Sequence, residues 1–265
     1  MNSRAFDPDI RRVGQRMADA ARDVILPYFR SNALGTDNKL SGGFDPVTEA
    51  DRAAERAMRA ILAEERPQDA ILGEEYGASE GTSGLTWVLD PIDGTRGFIS
   101  GTPTWGVLIA VSDATGPFYG IIDQPYIGER FEGAPDGATL QGPMGQTDLR
   151  ARSGRRLMEA TVMTTFPEVG AAPDRDGFHA VAGRAKLTRY GMDCYAYALL
   201  AAGQVDLVIE AGLAAYDIQA PIAVIEAAGG IVTDWQGGPA HDGGRALAAA
   251  NPEIHAAALA ILRDY

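Results

Sequence analysis

The chain has 265 residues, 46% of them hydrophobic and 22% charged, enough for one large domain or two closely packed ones around a sizeable core. With 36 acidic against 23 basic side chains the net charge is −13, which repels nucleic acid and anionic membranes and argues against both as partners. Cys194 is the only cysteine, so no internal disulfide is possible and a reducing, cytoplasmic setting is expected; the start Met1–Asp7 has no secretory apolar core, and no run of about 18 apolar residues predicts a membrane span.

Ile10, Val13, Met17, Ala20, Ala21, Val24 and Ile25 recur at helical spacing and predict an amphipathic helix over residues 8–30. Residues 31–46, rich in Gly, Ser and Asn and holding Lys39, read as a loop. Thr48 opens a second helix, with Asp51 at the capping-box position, running to about Glu65 ahead of Pro67. A short apolar strand at 70–73 leads into Glu74 and Glu75, and residues 78–84 read as a surface loop. Strands are predicted at 85–90, 104–112, 117–124, 128–133 and 137–141, a mostly antiparallel meander with turns at Asp113–Gly116 and Pro135–Gly137. Beyond residue 150, strands at 160–164, 187–190, 205–209 and 231–234 alternate with helices near 174–183, 193–202, 217–228 and 251–262, an α/β pattern. Gly142, Pro143 and Gly145 mark the connection and divide the chain into halves, 1–145 and 146–265.

The segment Trp87-Val88-Leu89-Asp90-Pro91-Ile92-Asp93-Gly94-Thr95 carries the most chemistry. A buried apolar strand is expected to stop at Asp90-Pro91, leaving Asp90 and Asp93 on a tight turn. Two close carboxylates repel unless a cation lies between them. Gly94 allows close backbone approach to a ligand and Thr95 adds a hydroxyl and an N–H, as a hard-metal phosphate site requires. Glu74, Glu75 and Asp217 likewise close apolar runs. Singly, each has an ordinary structural explanation: Glu74-Glu75 a solvated turn, Asp217 a helix cap. Two charges directly behind a buried strand are harder to explain without partners.

Asp45-Pro46-Val47-Thr48-Glu49-Ala50-Asp51, Gly73-Glu74-Glu75, the Trp87–Thr95 block and Tyr216-Asp217 followed by Glu226-Ala227-Ala228-Gly229-Gly230 together resemble, in order and spacing, the inositol monophosphatase superfamily of magnesium-dependent, lithium-sensitive phosphatases. Tyr216 departs from the pattern, since the family usually has Trp there. The resemblance implies an α+β fold, a layered αβαβα sandwich with an antiparallel sheet in the N-terminal half and a mixed sheet in the C-terminal half, and homodimers. It implies that Glu74, Asp90, Asp93 and Asp217, with the Ile92 carbonyl, hold two or three Mg²⁺ ions, which offset phosphate charge and activate a water. Thr95 would orient that water, with Asp51 accepting from Thr95; Gly94 and Thr95 N–H groups would hold phosphate oxygens, and Glu75 would support Glu74 from behind. The first half then carries most ligands, and the second carries Asp217 and the substrate pocket.

For the leaving group, Arg96–Gly106 and Leu187–Tyr197 resemble the histidinol-phosphate phosphatase branch, with Asp193 where inositol phosphatases usually have a small apolar residue. Asp193 and Glu210 would face a cationic alcohol, for which charge-assisted hydrogen bonds offer a return that a neutral polyol does not. Asp193 as a simple helix cap, and Glu210 accepting from sugar hydroxyls, are the competing readings. L-Histidinol phosphate is therefore the expected substrate, with inositol 1-phosphate or sugar phosphates as the alternative. A catalytically idle metal-binding regulator is a further alternative, disfavoured because Thr95 and Asp51 serve only water activation. Phe98 and Trp105 fit either a pocket wall or the core. His179, His241 and His255 lie in unrelated segments and give no histidine-based chemistry.

Overall fold

The computed structural model describes residues 6–31, 36–38, 46–166, 168 and 170–265. The readings that rest on Lys39, on Asp45 and on the Thr48 side chain lie outside what is described.

Pro8 in the first turn and an Asp7 cap accepting from the Asp9 N–H at 3.0 Å start α1 (Pro8–Ile25). It ends earlier than the periodicity predicts, and Arg30 takes a left-handed φ of 58° in the turns that follow. Part of the expected loop is a small antiparallel ribbon, β1 (Thr36–Asn38) with β2 (Pro46–Thr48). Thr48 ends that strand, and α2 (Glu49–Glu65) begins one residue later than expected.

β3 (Ala70–Gly73), β4 (Gly77–Ser79), β5 (Thr86–Asp93), β6 (Gly106–Asp113), β7 (Gly116–Gln124), β8 (Glu129–Ala134), β9 (Gly137–Gly142) and β10 (Gly145–Asp148) form an eight-stranded sheet ordered β10-β9-β8-β7-β6-β5-β3-β4. The meander from β5 to β10 is antiparallel as expected, but β3 runs parallel to β5, so this sheet too is mixed. A short α3 (Thr95–Ser100) connects β5 to β6. After a 3₁₀ turn at Leu157–Glu159 come β11 (Thr161–Thr164), α4 (Ala172–Ala182), β12 (Leu187–Tyr190), α5 (Asp193–Ala201), β13 (Leu207–Leu213), α6 (Ala215–Ala227), β14 (Ile231–Thr233), β15 (Gly244–Ala249) and α7 (Pro252–Leu262). Their strands make a mixed sheet ordered β12-β11-β13-β15-β14.

Strand alternation sets the layers. Trp87, Leu89, Val107, Ile109, Val111 and Ile121 point to one face of the first sheet and pack with Val13, Met17, Ala54 and Met58 of α1 and α2. Val88, Leu108, Ala110 and Ile122 point to the other and meet Leu200, Ile218, Val224 and Ile225 of α5 and α6. Those helices are shared with the second sheet through Val208, Ala246 and Ala248, and its far face packs on Phe178 of α4 and Leu259 of α7. The result is an α+β sandwich in which the central core joins the two sheets. None of its described helices is long and apolar enough to cross a membrane.

Candidate active site

Pro91 does not end the strand. β5 continues to Asp93, which pairs with Gly106, and the register shifts between Asp90 and Asp93. Proline without an N–H breaks the ladder locally and leaves a bulge, a common device beside functional sites. The bulge matters for direction. Residues three apart on a regular strand face opposite sides, and the irregularity lets Asp90 and Asp93 converge. Carboxylate oxygens of Asp90, Asp93 and Asp217 lie within 4.8 Å of one another, as do those of Asp51, Glu74 and Asp90. Distant acids from α2, the end of β3, β5 and α6 thus share one place.

Two of these acids are held by backbone N–H groups. Asp217 does both things the sequence allowed: its Oδ2 accepts from the Ala214 N–H at 2.7 Å, capping α6, and it also faces Asp90 and Asp93. Asp93 Oδ2 accepts from the Cys194 N–H of α5 at 2.7 Å. Thr95 Oγ1 donates to the Ile92 carbonyl at 3.1 Å. The Glu75 side chain is 3% exposed, with a carboxylate oxygen 3.6 Å from Arg52 Nε.

Glu55 was not foreseen. It is fully buried on α2, accepts from the Glu75 N–H at 2.7 Å and the Tyr76 N–H at 3.2 Å, and pairs with Arg59 at 2.7 Å. It thereby fixes the turn that presents Glu74 and Glu75. A Cβ at Gly73 would collide with the Glu55 carboxylate, so glycine is required there. The available signal was an acid on the apolar stripe of α2, four residues after Asp51.

Glu74, Ile92, Gly94, Thr95, Arg96 and Tyr216 line a cavity of about 290 Å³ together with Asp90, Asp93, Asp193 and Asp217. A second cavity of about 190 Å³ opens from the same Asp93, Asp193 and Asp217 and is lined further by Thr165, Phe166, Tyr197 and Glu210. Asp193 begins α5 with a left-handed φ of 45° and accepts from Thr104 Oγ1 at 2.8 Å. A side chain at Gly94, itself at φ 83°, would put Cβ 2.7 Å from the Asp193 Cγ. Glu210 sits just before a second bulge, between Glu210 and Leu213, and accepts from Thr164 Oγ1 at 3.0 Å and from Thr165 N and Oγ1 at 2.6 and 2.9 Å. Phe98 and Trp105 line neither cavity; they pack edge to face at 4.9 Å in the core. Arg96, over the Phe166 ring at 5.1 Å, Tyr197 and Thr165 are additional lining groups that sequence patterns alone did not mark.

The electrostatics are those of a cation site. Burial, and then the charges of Glu74, Asp93, Asp217 and Asp51, push Asp90 well above the ordinary carboxylate range. Asp93 rises for the same reasons, burial first and then Asp217 and Asp193. Asp90 Oδ1 is buried with no hydrogen-bond partner among the described residues. A buried, oxygen-only donor set with an orphaned carboxylate oxygen fits a hard divalent cation. Size alone does not mark the site. A larger cleft of about 600 Å³ lies beside β8–β10, but its acids Glu132 and Asp136 are paired with Arg11 at 2.5 and 2.7 Å.

This fold, with an acid cluster that could hold a metal ion, is that of a phosphoric monoester hydrolase. The chain belongs to the inositol monophosphatase family, whose model matches residues 9–265. It is 44% identical over 227 residues to the chloroplastic bifunctional phosphatase IMPL2 of Arabidopsis thaliana, covering 85% of this chain and 64% of the plant protein, so it spans just under two thirds of that relative. It is 31% identical over 261 residues to the histidinol-phosphatase of Streptomyces coelicolor, covering 93% of this chain and 94% of that one. Its structure resembles an inositol monophosphatase from Zymomonas mobilis with a TM-score of 0.86 at 39% identity, covering 98% of this chain and 100% of the other.

Proposed function

We propose that this protein hydrolyses L-histidinol phosphate to L-histidinol and phosphate, with Mg²⁺ held by Glu74, Asp90, the Ile92 carbonyl, Asp93 and Asp217. The observation that carries the substrate reading is the shared wall of the two cavities: Asp93, Asp193 and Asp217 line both the cavity at the carboxylate cluster and the one that holds Glu210. A phosphate at the cluster therefore leaves its alcohol beside two acids. Similarity to the Streptomyces histidinol-phosphatase supports the same reading.

Two or three Mg²⁺ ions would offset phosphate charge and acidify the attacking water. The chain's own groups supply position. The Ile92 carbonyl has two lone pairs, so accepting from Thr95 leaves one for a cation. Thr95 Oγ1 orients the water by accepting its proton side while its own hydrogen is held by Ile92 or Asp51. The N–H groups of Gly94 and Thr95, at the start of α3, would donate to phosphate oxygens. Water forms one P–O bond and gives up a proton, the ester P–O bond breaks, and the departing alkoxide takes up that proton. Glu75, held by Glu55, keeps Glu74 in place. Asp193 accepts from the substrate ammonium and Glu210 from its ring. Homodimer formation, lithium sensitivity, a cytoplasmic place in histidine biosynthesis and the division at residue 145 belong to the same proposal.

A second reading is inositol 1-phosphate, favoured by the 39% identity to the Zymomonas enzyme. Comparing kcat/KM for the two esters with Mg²⁺ decides between them. We expect a preference for histidinol phosphate of at least about tenfold, because two acids face a cation. A preference for inositol 1-phosphate ends the substrate proposal.

A further inference from the structure

Tyr197 presents an anomaly that the hydrolysis itself does not use. It lies on α5, is 3% exposed, and its hydroxyl has no hydrogen-bond partner among the described residues. A buried hydroxyl without a partner is costly, and most are satisfied. This one lines the inner cavity between the acid cluster and Glu210. Glu210 is differently placed: Thr164 and Thr165 already take three of its acceptor positions, leaving it about one for a ligand. The wall also carries apolar surface from Phe166, Ala211 and Leu213. The cavity thus offers one unused phenolic donor, one remaining carboxylate acceptor and apolar walls.

We propose that the Tyr197 hydroxyl is a specificity-determining contact to the leaving alcohol, donating to the bare nitrogen of an azole ring whose N–H is accepted by Glu210. An azole in its neutral form has one N–H and one bare nitrogen, and is otherwise flat and apolar-faced. A carbocyclic ring offers neither group a partner and leaves the Tyr197 hydroxyl buried and unpaired, an arrangement that discriminates strongly. The inference rests on the histidinol-phosphate reading and adds the residue that reads the ring. It also explains why a destabilising hydroxyl is kept where phenylalanine would pack equally well.

The test pairs two esters with two proteins. Wild type and Tyr197→Phe are assayed with Mg²⁺ on L-histidinol phosphate and on L-phenylalaninol phosphate, which has the same backbone without ring nitrogens. Wild type should prefer the azole ester, and the substitution should reduce that preference about tenfold, mostly through KM, as loss of one hydrogen bond predicts. The thermal midpoint of the ligand-free variant should rise, since an unsatisfied hydroxyl has been removed. A preference that survives Tyr197→Phe undiminished overturns the inference and leaves the substrate reading intact. A wild type that handles both esters equally overturns the ring-reading role and the histidinol-phosphate assignment together. A lowered midpoint means that the protein itself satisfies the hydroxyl, and overturns the inference.

Discussion

Two kinds of buried carboxylate occur in this molecule, and they contrast sharply. Asp123 and Asp206 are fully buried, but Asp123 is bracketed by Arg22 at 2.8 Å and Arg130 at 2.7 Å, and Asp206 meets Arg152 at 3.1 Å. Asp90 is equally buried and faces Glu74, Asp93, Asp217 and Asp51. The first kind completes its own charge balance within the fold. The second leaves a deficit of positive charge at the ends of β3 and β5 and the starts of α5 and α6. Helix N-termini offset a fraction of that, as the Cys194 N–H does for Asp93, but only partial charges are available there. The lesson is that burial of an acid does not by itself mark a functional site, whereas several acids drawn together around a buried one point to a cation.

Substitution should split the two kinds with opposite signs. Asp90→Asn should cost roughly a thousandfold or more in metal-dependent kcat/KM, because it removes a shared cation oxygen. It should also raise the thermal midpoint of metal-free protein, because like-charge repulsion and burial of a charge are relieved. Asp123→Ala should do the reverse, costing about 3 kcal/mol of stability by removing the buried carboxylate that Arg22 and Arg130 share while leaving kcat of the folded fraction intact. Denaturant titration and single-substrate kinetics on both variants check this. Equal stability losses in the two would erase the distinction.

Glu210 sharpens the contrast, since it is buried like the others yet satisfied by hydroxyls and an N–H in place of cations. Burial raises it from 4.5 to about 7, against the lowering effect of Thr165 and Thr164. Its folded value lies above its unfolded one, so the folded state holds the proton more tightly. Its contribution is therefore fully present below about 4.5 and is lost as pH rises through about 7, a change of about 3 kcal/mol at most. The stability difference between wild type and Glu210→Gln, followed in metal-free protein over that window, should show this slope. A flat difference would mean that the donors from Thr164 and Thr165 cancel the effect of burial.

How much of this was legible beforehand follows from the same physics. The acids of β5 and α6 could be read because motif spacing survives folding, and most helices and meander strands because apolar periodicity does. The bulge at Pro91 could not: proline signals an interrupted ladder but not whether pairing resumes at Asp93. β15 (Gly-Arg-Ala-Leu-Ala-Ala) escaped because alanine is a poor strand former; pairing with both β13 and β14 decides its state. α3 escaped because six residues with an internal glycine carry little periodic signal. Glu55 and Tyr197 sit on the buried faces of helices, and only the folded arrangement shows what they face.

Binding of Mg²⁺ to metal-stripped protein, followed by the thermal midpoint, tests the central claim most directly. Mg²⁺ should raise the midpoint of wild type in a concentration-dependent way and leave Asp90→Asn essentially unmoved. Equal shifts in both proteins, or none in either, would contradict the assignment of the acid cluster as a cation site.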